Sequence, residues 1–564
     1  MARRAWACSK ASVVGTYYSG FPDANPTDRF QFWLDHPPSA IVLDVETISL
    51  DEKHPLGFGI AVGPDEAFYF DLQEPDEDKL KAITPWLQDI RIRKLAHNWM
   101  FDMAVFPLIP VVGKTLNRTN LWDTNVAARL LGYQETALPM LAMELFQEEI
   151  ASAQDILHKH SAETMMGVPR AEVATHCLSD VRICYRLYLL WREKIEQQYH
   201  EYFQVEMRVI PILIDMSMRG VAIDHAARQE LVEKYTKEIE FYREQSQAYG
   251  IENPGSAQQV GYMLGKRGNF LPLTRSKRQL STREADLEFL DDPMATVILG
   301  YRHNSKFKST YLDPMEGADR FYTEYYMDTV VGRLNSRNRN IQNIPKDARY
   351  MMLPDHGVFT TGDYSQEHLY ILAQVSQDRD MLKVMYHPDK KKRDIHLYTA
   401  EKMGVTRPLA KTLNYAVVYG ATAKVVSEQA KIKDTRRCQR LIEDWFRTFK
   451  GAADWIRGAQ EEGLRTGWAL PTLFKRKIRL PLENDDAMKR KAVNYPILGS
   501  DGEVIKRAIL LCQKRGLGPP VMAITVHDSI SWDGDVADRL PVEELEHIPG
   551  YQVPFEVKQT LRWE

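Results

Sequence analysis

Four acidic residues in the first third of the chain have the types and spacing of a metal site. Asp44 and Glu46 lie two apart in the apolar run "VLDVETI", so a β-strand would place both carboxylates on one face. Carboxylates that share an apolar face repel each other unless a cation or a proton lies between them. Asp102 and Asp180 lie in segments of helical spacing further along. All four acids could converge on two divalent cations, an arrangement that suits phosphodiester hydrolysis.

A second pair of acids, Asp363 and Asp528, lies in the second half of the chain. Each is next to a β-rich run, "GVFTTGDYS" for the first and "VMAITVHDSISW" for the second. If these strands are neighbours, the carboxylates could bind two Mg²⁺ ions that bridge a triphosphate and a 3′-hydroxyl. The segment "RPLAKTLNYAVVYG" between them carries cations and then aromatic rings along one helix face, suited to phosphates and to a base or sugar: Arg407, Lys411, Tyr415 and Tyr419.

Several domains must position these residues, because 564 residues are too many for a single core. The hydrophobic content of 44% and the charged content of 27% are typical of a globular protein, and no apolar run is long enough to predict a membrane span. The net charge of −4 means that any nucleic-acid surface must come from local clustering. Five scattered cysteines without a Cys-x-x-Cys pair favour a reducing compartment, which predicts a cytoplasmic protein. The acid-free start "MARRAWACSKASVVG" resembles an organelle-targeting segment only weakly.

The texture of the sequence changes along the chain. Residues 1–37 have little periodicity and predict an N-terminal extension, whereas residues 38–200 alternate strand and helix patterns, as in a mixed α/β domain. A helical stretch continues to about residue 315, and strand patterns then return around a large helical insertion. Within the helical stretch, one basic segment is either a solvated loop or a clamp on phosphates: Lys266, Arg267, Arg275, Lys277, Arg278 and Arg283.

The first domain resembles the DEDD superfamily of 3′–5′ exonucleases at "LDVET", "HNWMFD" and "HCLSDV". The resemblance implies an RNase H-like α/β fold with a mixed sheet, and Asp44, Glu46, Asp102 and Asp180 as metal ligands. The branch found in polymerases usually has a tyrosine four residues before the last aspartate, and this chain has His176. A histidine there could still orient or deprotonate the attacking water.

The second half resembles family A (polymerase I-like) DNA polymerases over several ordered motifs. These are "YRHNSKFKSTY", "TVVGRLNSRNRNIQNIP", "GDYSQEHLYILA", "RPLAKTLNYAVVYG" and "TVHDSI". The resemblance implies an α+β right hand over residues 201–564. Its thumb would span about 205–315, its palm about 316–375 and 490–564, and its fingers about 376–489.

The resemblance also assigns residues, with Asp363 and Asp528 as ligands of two Mg²⁺ ions that Mn²⁺ could replace. Lys411 could donate a proton to the leaving pyrophosphate. The residues expected to contact the incoming dNTP are Arg407, Lys411, Tyr415, Tyr419, His396, Gln366 and His368. The residues expected to contact primer–template DNA are Arg333, Gln342, Asn343, Arg490, Asn494, His527 and Lys306.

Several positions depart from the family pattern. Ser529 stands where a glutamate usually follows the second metal aspartate, and Leu498 replaces a glutamine that contacts the minor groove. Val331 and Arg339 replace a threonine and a proline of the minor-groove segment. Tyr415 stands where many members have phenylalanine, and its hydroxyl could replace the missing 3′-hydroxyl of a dideoxynucleotide. We therefore predict weak discrimination against such terminators.

The segment after Asp363 departs most. The family typically reads D-Y-S-Q-I-E-L-R, with the glutamate beneath the sugar, whereas this chain has His368 at that position and its acid one place earlier, at Glu367. One helical step rotates a side chain by about 100°, so Glu367 cannot take over. Tyr370 replaces the usual arginine. We predict altered ribonucleotide discrimination.

Two functions stay open at this stage. The first is a proofreading DNA polymerase without a 5′-nuclease domain, a layout that resembles phage replicative enzymes, with replisome partners such as a helicase, a primase or a single-strand-binding protein undetermined. The second is a polymerase-impaired member that acts as a 3′–5′ exonuclease or a primer–template binding module. A simple RNase D-like nuclease would leave the second half without a purpose.

Overall fold

The computed structural model describes residues 16–20, 25–274, 279–432, 434–548, 550 and 552–564. The targeting-like start falls in residues 1–15, outside the described residues, as do three cations of the basic segment, Arg275, Lys277 and Arg278. Within the described ranges, no helix has the length and apolar character needed to cross a membrane.

The N-terminal domain is a six-stranded mixed sheet covered by helices, as predicted. Its strands are β1 (Thr16–Ser19), β2 (Ala40–Thr47), β3 (Pro55–Ala61), β4 (Ala67–Asp71), β5 (Arg93–Ala96) and β6 (Leu121–Asp123), in the order β1-β4-β3-β2-β5-β6. Strands β2, β5 and β6 run parallel, and the other pairs are antiparallel. The helices are α1 (Pro26–Asp35), α2 (Glu77–Gln88), α3 (Trp99–Val105), α4 (Thr124–Leu130), α5 (Leu138–Phe146), α6 (Ala153–His160) and α7 (Arg170–Arg219).

The predicted N-terminal extension, residues 1–37, needs correction for its described part. Strand β1 pairs in register with β4 at the edge of the sheet, and Phe30 of α1 is buried against Phe68 and Trp86. A four-residue strand and a ten-residue helix are too short to show a clear period, which is why the sequence missed them. The domain therefore begins before residue 38.

The predicted boundary at residue 200 falls inside a single helix. Helix α7 has 50 residues, packs on β3 through Cys177 and Val181, and continues past residue 200 to bury Glu206 against Lys506. Its helical spacing does not change at the boundary, so no local pattern shows that two domains share the helix. The two domains are joined by a continuous helix rather than by a linker.

The thumb region is helical, as predicted. After the short strand β7 (Val221–Ile223) come α8 (His225–Gln247), α9 (Ala257–Lys266), α10 (Glu284–Leu287) and α11 (Pro293–Phe307). The aromatic rings of Tyr235 in α8 and Phe307 in α11 stack at a centroid distance of 4.0 Å and hold the two long helices together. Strands β8 (Arg320–Phe321) and β11 (Met352–Leu353) flank β7 in a small sheet, and β9 (Glu324–Tyr326) pairs with β10 (Asn335–Arg337).

The palm is a four-stranded antiparallel sheet in the order β13-β14-β12-β15. Its strands are β12 (Phe359–Tyr364), β13 (Met522–Val526), β14 (Ser529–Asp533) and β15 (Phe555–Thr560). The helices of this half are α12 (Lys346–Arg349), α13 (Glu367–Ser376), α14 (Arg379–Met385), α15 (Ile395–Met403), α16 (Arg407–Val418), α17 (Ala423–Ala430), α18 (Thr435–Thr448), α19 (Lys450–Thr466), α20 (Asp485–Lys514) and α21 (Val542–Glu546). The α+β architecture agrees with the predicted right hand.

Candidate active sites

The first site lies where β2, α3 and α7 meet. Asp44 and Glu46 occupy alternate positions of β2, which places both carboxylates on the same face, as predicted. The backbone N–H of Val45 donates to Asp102 Oδ1 at 2.9 Å, so the buried acid of α3 is fixed against the strand. Burial and then the Asp44 carboxylate raise the pKa of Asp180, which places α7 over the same face. The structure brings all four predicted acids together.

His176 lies between two of these acids. Its Nε2 atom is 3.8 Å from Glu46 Oε1 and 3.8 Å from Asp180 Oδ2, and its side chain is only 7% exposed. Burial lowers the pKa of His176 to about 4, so the ring is neutral at pH 7 and has a nitrogen free to accept a proton. The position agrees with the predicted role beside the last aspartate.

The carboxyl groups of this site are buried close together, and this raises their pKa values. Burial raises the pKa of Asp44 to about 6. Burial and then the neighbouring carboxylates hold the pKa values of Glu46 and Asp102 well above the usual range for carboxyl groups. The Sγ atom of Cys177, 3.3 Å from Asp44 Oδ2, donates to it. Oxygen ligands that are crowded in this way fit a hard divalent cation, because the cation replaces the protons that otherwise relieve the repulsion.

The second site lies where the strands of the palm sheet end, next to the turn between β13 and β14. Asp363 in β12 pairs with Ser529 of β14 on one side and with Glu556 of β15 on the other. Asp528 occupies the turn that joins β13 to β14, where its carbonyl oxygen accepts from the N–H of Tyr364 at 3.1 Å. The two predicted acids are therefore neighbours, through β14 rather than through direct pairing of β12 with β13.

Both palm acids titrate above the usual range. Partial burial, and then the carboxylates of Asp528 and Glu556, raise the pKa of Asp363 to about 7, while Lys558 opposes the shift. Burial and the carboxylate of Asp501 raise the pKa of Asp528. A cation would relieve this repulsion, so this carboxylate pair also fits a divalent metal.

Helix α16 brings Tyr415 of its predicted stripe close to the palm acids. The Asp363 and Asp528 carboxylates raise the pKa of Tyr415 after burial, which places its ring beside them. Lys411 is exposed and forms no ion pair with any described residue. Arg407 Nε binds Asp394 Oδ2 at 2.7 Å.

His396 lies behind this stripe. Its Nδ1 accepts from Asn414 Nδ2 at 2.9 Å, and its ring centroid is 5.7 Å from that of Tyr415. Burial lowers the pKa of His396 to about 4. The ring is therefore neutral at pH 7 and contacts the tyrosine that faces the acids.

The segment after Asp363 separates its polar residues. Gln366 adopts a left-handed conformation (φ 56°), and its Oε1 is buried without a hydrogen-bond partner among the described residues. Glu367 is 2% exposed and turns inward, whereas His368 contacts Tyr419 OH at 2.5 Å and Asp501 Oδ2 at 3.3 Å. Tyr370 is buried and donates to the carbonyl of Met385, so its ring takes no part in this surface.

The residues expected to contact DNA divide into two groups. Arg333 and Asn494 belong to the His368 surface: Arg333 Nε is 2.7 Å from Asp501 Oδ2, and Asn494 Nδ2 donates to the Tyr419 carbonyl at 3.2 Å. Next to them lie His527, which is left-handed (φ 53°), and Arg490, which packs against Gly420.

The other group lies further from the acids or serves the fold. Gln342 is 9% exposed and donates to the carbonyl of Leu334, so its side chain braces its own segment, while Asn343 beside it is exposed. Lys306 is exposed on α11 of the thumb.

Two acids of the second site were missed from the sequence. Glu556 is directly opposite Asp363, but this pairing joins distant parts of the chain and leaves no local signal. Asp501 does leave one, since Arg490, Asn494, Leu498 and Asp501 are four, four and three residues apart and share a face of α20. The helical period could have added it to the predicted DNA-contact set.

Comparison with known proteins assigns a family to each of the two regions. Residues 225–547 match the model of DNA polymerase family A, and residues 24–196 match that of a 3′–5′ exonuclease. DNA polymerase I of Chloroflexus aurantiacus is 28% identical over 546 residues, which cover 87% of this chain and 57% of that protein. The thermostable DNA polymerase I of Thermus aquaticus is 30% identical over 405 residues, covering 63% of this chain and 47% of that protein. The chain thus spans about half the length of these curated relatives.

A solved structure shows the same fold over nearly the whole chain. The POL domain of Pol1 from M. smegmatis, in complex with DNA primer–template and dNTP, superposes with a TM-score of 0.74 and 22% sequence identity. The alignment covers 96% of this chain and 98% of that one. With the family match over more than half of its residues, the chain belongs to DNA polymerase family A and carries a 3′–5′ exonuclease domain ahead of the polymerase region.

Proposed function

We propose that the chain is a template-directed DNA polymerase that adds dNTPs to a primer 3′ end and removes mispaired ends with its own 3′–5′ exonuclease. The observation that carries the proposal is the meeting of Asp363 and Asp528 at one end of the palm strands, beside the ring of Tyr415 from α16. Divalent cations, two Mg²⁺ or Mn²⁺ per site, would neutralise phosphate charge and activate the attacking oxygen at both carboxylate clusters.

In the polymerase reaction, the side chains of α16 bind and orient the incoming nucleotide. Lys411, exposed and without an ion pair among the described residues, is suited to bind the triphosphate and to give a proton to the leaving pyrophosphate. Arg407 would exchange its contact with Asp394 for a phosphate oxygen. Tyr415 would face the sugar, and Tyr419 would lie near the templating base.

Pre-organisation is the chain's main contribution to this step. In-line attack by the primer 3′-hydroxyl needs the two substrates held in one geometry, which the sheet edge and α16 provide from opposite sides. Gln366, whose buried Oε1 has no partner within the described part of the chain, is suited to donate or accept a contact with the nucleotide.

In the exonuclease reaction, His176 replaces the family's usual tyrosine. Its neutral Nε2 is equally far from Glu46 and Asp180, so a water held between the acids could transfer its proton to the ring. The low pKa of His176 makes it a weak base, so we expect a slower exonuclease than a well-matched base would give.

Primer extension tests the proposal. The chain is incubated with a primed template, dNTPs and Mg²⁺, and Asp44→Ala separates synthesis from degradation. Template-directed extension supports the proposal, whereas degradation without extension would support the alternative, a polymerase-impaired exonuclease or binding module suggested by Ser529 and His368. A role in phage replication, a cytoplasmic location and replisome partners remain predictions, and the relatives reported above are bacterial.

A further inference from the structure

We propose that Asp501 is a positioning residue that holds His368 and Arg333 on one buried carboxylate and so couples sugar selection to binding of the primer end. The inference rests on the proposed polymerase function and adds a residue that the motifs of the sequence did not include. Asp501 lies in the middle of α20 and is only 1% exposed. A buried carboxylate is destabilising unless cationic or polar partners surround it.

The partners of Asp501 come from two other segments. Its Oδ2 atom lies 2.7 Å from Arg333 Nε and 3.3 Å from His368 Nε2. The Arg333 side chain is 25% exposed and that of His368 is 14% exposed, so each has one end on the carboxylate and a surface left for a ligand. Arg333 is expected to contact primer–template DNA, and His368 stands at the position expected beneath the nucleotide sugar. A single atom, Asp501 Oδ2, thus holds two side chains that are each expected to contact a substrate.

The carboxylate also determines how the His368 ring is used. Because Asp501 can only accept at Oδ2, Nε2 of His368 carries the hydrogen, and Nδ1 of a neutral ring then accepts from Tyr419 OH. The ring is held at both ends, by a buried acid on one side and by the tyrosine at the end of α16 on the other. A ring fixed in this way cannot move aside for a 2′-hydroxyl without breaking one of the two contacts.

The chain of contacts continues beyond Tyr419. The carbonyl oxygen of Tyr419 accepts from Asn494 Nδ2, which lies on the same face of α20 as Asp501, seven residues earlier. The contacts therefore form a path that starts on α20 at Asp501, passes through His368 and Tyr419, and returns to α20 at Asn494. Arg333 joins this path at Asp501. Loss of the central carboxylate would free both the arginine and the histidine at once, which a purely structural acid would not do.

A second buried acid on the same helix supplies a matched control. Glu503 is 0% exposed and two residues further along α20, but it accepts from Thr472 Oγ1 on the opposite side of the helix. Asp501→Asn and Glu503→Gln both replace a buried carboxylate by an amide of the same shape. Only the first faces His368 and Arg333.

The test uses the full chain and three measurements: single-nucleotide kcat and KM with dNTP and rNTP, the Kd for primer–template, and exonuclease rate on single-stranded DNA. For Asp501→Asn we expect the dNTP/rNTP ratio of kcat/KM to fall about tenfold and the primer–template Kd to rise about tenfold, as for loss of a charged hydrogen bond. The exonuclease rate reports on folding and should be unchanged. Glu503→Gln should leave the dNTP/rNTP ratio unchanged.

Two outcomes would overturn the inference. One is a dNTP/rNTP ratio and a Kd that both stay within about twofold of wild type in an Asp501→Asn protein with normal exonuclease rate. The other applies if Asp501→Asn fails to fold: Arg333→Lys, at a partly exposed site, should then lower the dNTP/rNTP ratio because Arg333 meets His368 on Asp501, and an unchanged ratio refutes the coupling. A wild-type chain that cannot extend a primer contradicts the proposed function itself, and is thereby distinguished from failure of the variants alone.

Discussion

The exonuclease and polymerase sites are both built around carboxylates, but the chain holds them in different ways. The exonuclease acids come from a strand and two helices and are enclosed, with His176 and Cys177 filling the space between them. The polymerase acids lie at the solvent-facing end of the palm strands, where Ser529 and Glu556 flank Asp363. In the enclosed first site, burial is the main cause of the raised pKa values and repulsion between carboxylates comes second, whereas the second site relies on α16 to complete it.

The largest effects should separate the two sites completely. Asp363→Asn is expected to reduce primer extension about a thousandfold, because one metal ligand is lost, while single-strand degradation stays normal. Asp44→Asn should do the reverse. Extension and degradation measured on the same preparations check this. If either variant loses both activities, the sites do not act independently.

The second test concerns stability without metal. Because the folded-state pKa of Asp44, about 6, lies above the usual value of 3.8, its charged form destabilises the fold at pH 8. Asp44→Asn should therefore raise the free energy of unfolding by about 1–3 kcal/mol in EDTA at pH 8, as judged from urea unfolding. The gain should shrink as the pH falls from 6 toward 4, because the folded-state carboxyl becomes protonated, and it should vanish below about 3.8, where the carboxyl is protonated in both states.

A surface acid of the same domain is the control for that test. Arg91 lowers the pKa of the exposed Asp89 to about 2, so Asp89→Asn removes a favourable contact and should give no gain at pH 8. Equal gains in both variants would show that burial of the exonuclease acids is not the cause.

A third, smaller effect belongs to the polymerase site alone. Tyr415→Phe removes the hydroxyl that could replace a missing 3′-hydroxyl, so we expect discrimination against dideoxynucleotides to rise about tenfold, the value of one good hydrogen bond. Competition between ddNTP and dNTP in single-turnover extension measures it. Comparable incorporation by both proteins would contradict the assigned role of the ring.

The smallest effect tests the neighbours of Asp363. At limiting Mg²⁺, extension should fall as the pH drops below about 7, because protonated Asp363 binds metal poorly. Glu556 raises this pKa and Lys558 lowers it. Glu556→Gln should therefore move the midpoint to lower pH, and Lys558→Met should move it to higher pH.

The exonuclease provides the reference for these shifts. Its pH profile should be the same in both variants, since neither residue lies near its acids. Shifts of the same sign in the two variants would mean that charge at β15 does not act on Asp363.

Local periodicity accounts for most of what the sequence predicted. The two-residue spacing of Asp44 and Glu46 and the four-residue spacing along α16 fix which side chains share a face, and the structure has them so. Glu556 and the partners of Asp501 were not predictable in this way. Their contacts join residues more than a hundred positions apart, and they depend on how the sheet and the helices pack.

Short elements and unbroken patterns explain the other differences. Strand β1 has only four residues, so its place at the sheet edge rests on pairing with β4 and not on its own pattern. The continuity of α7 through the predicted boundary at residue 200 was missed for the opposite reason, since a helical pattern without a break gives no sign of a change of partner.

That unbroken helix fixes the distance between the acids of the first site and the contact that α7 makes with α20. His176 and Glu206 lie on one α7, and at about 1.5 Å per residue they are roughly 45 Å apart along its axis. The exonuclease domain is therefore held to the polymerase region over a length set by the helix, without a linker between them. Fragments divided at residue 200 would each contain only part of α7. An exonuclease domain expressed alone or fused to another protein should therefore include the helix through Arg219.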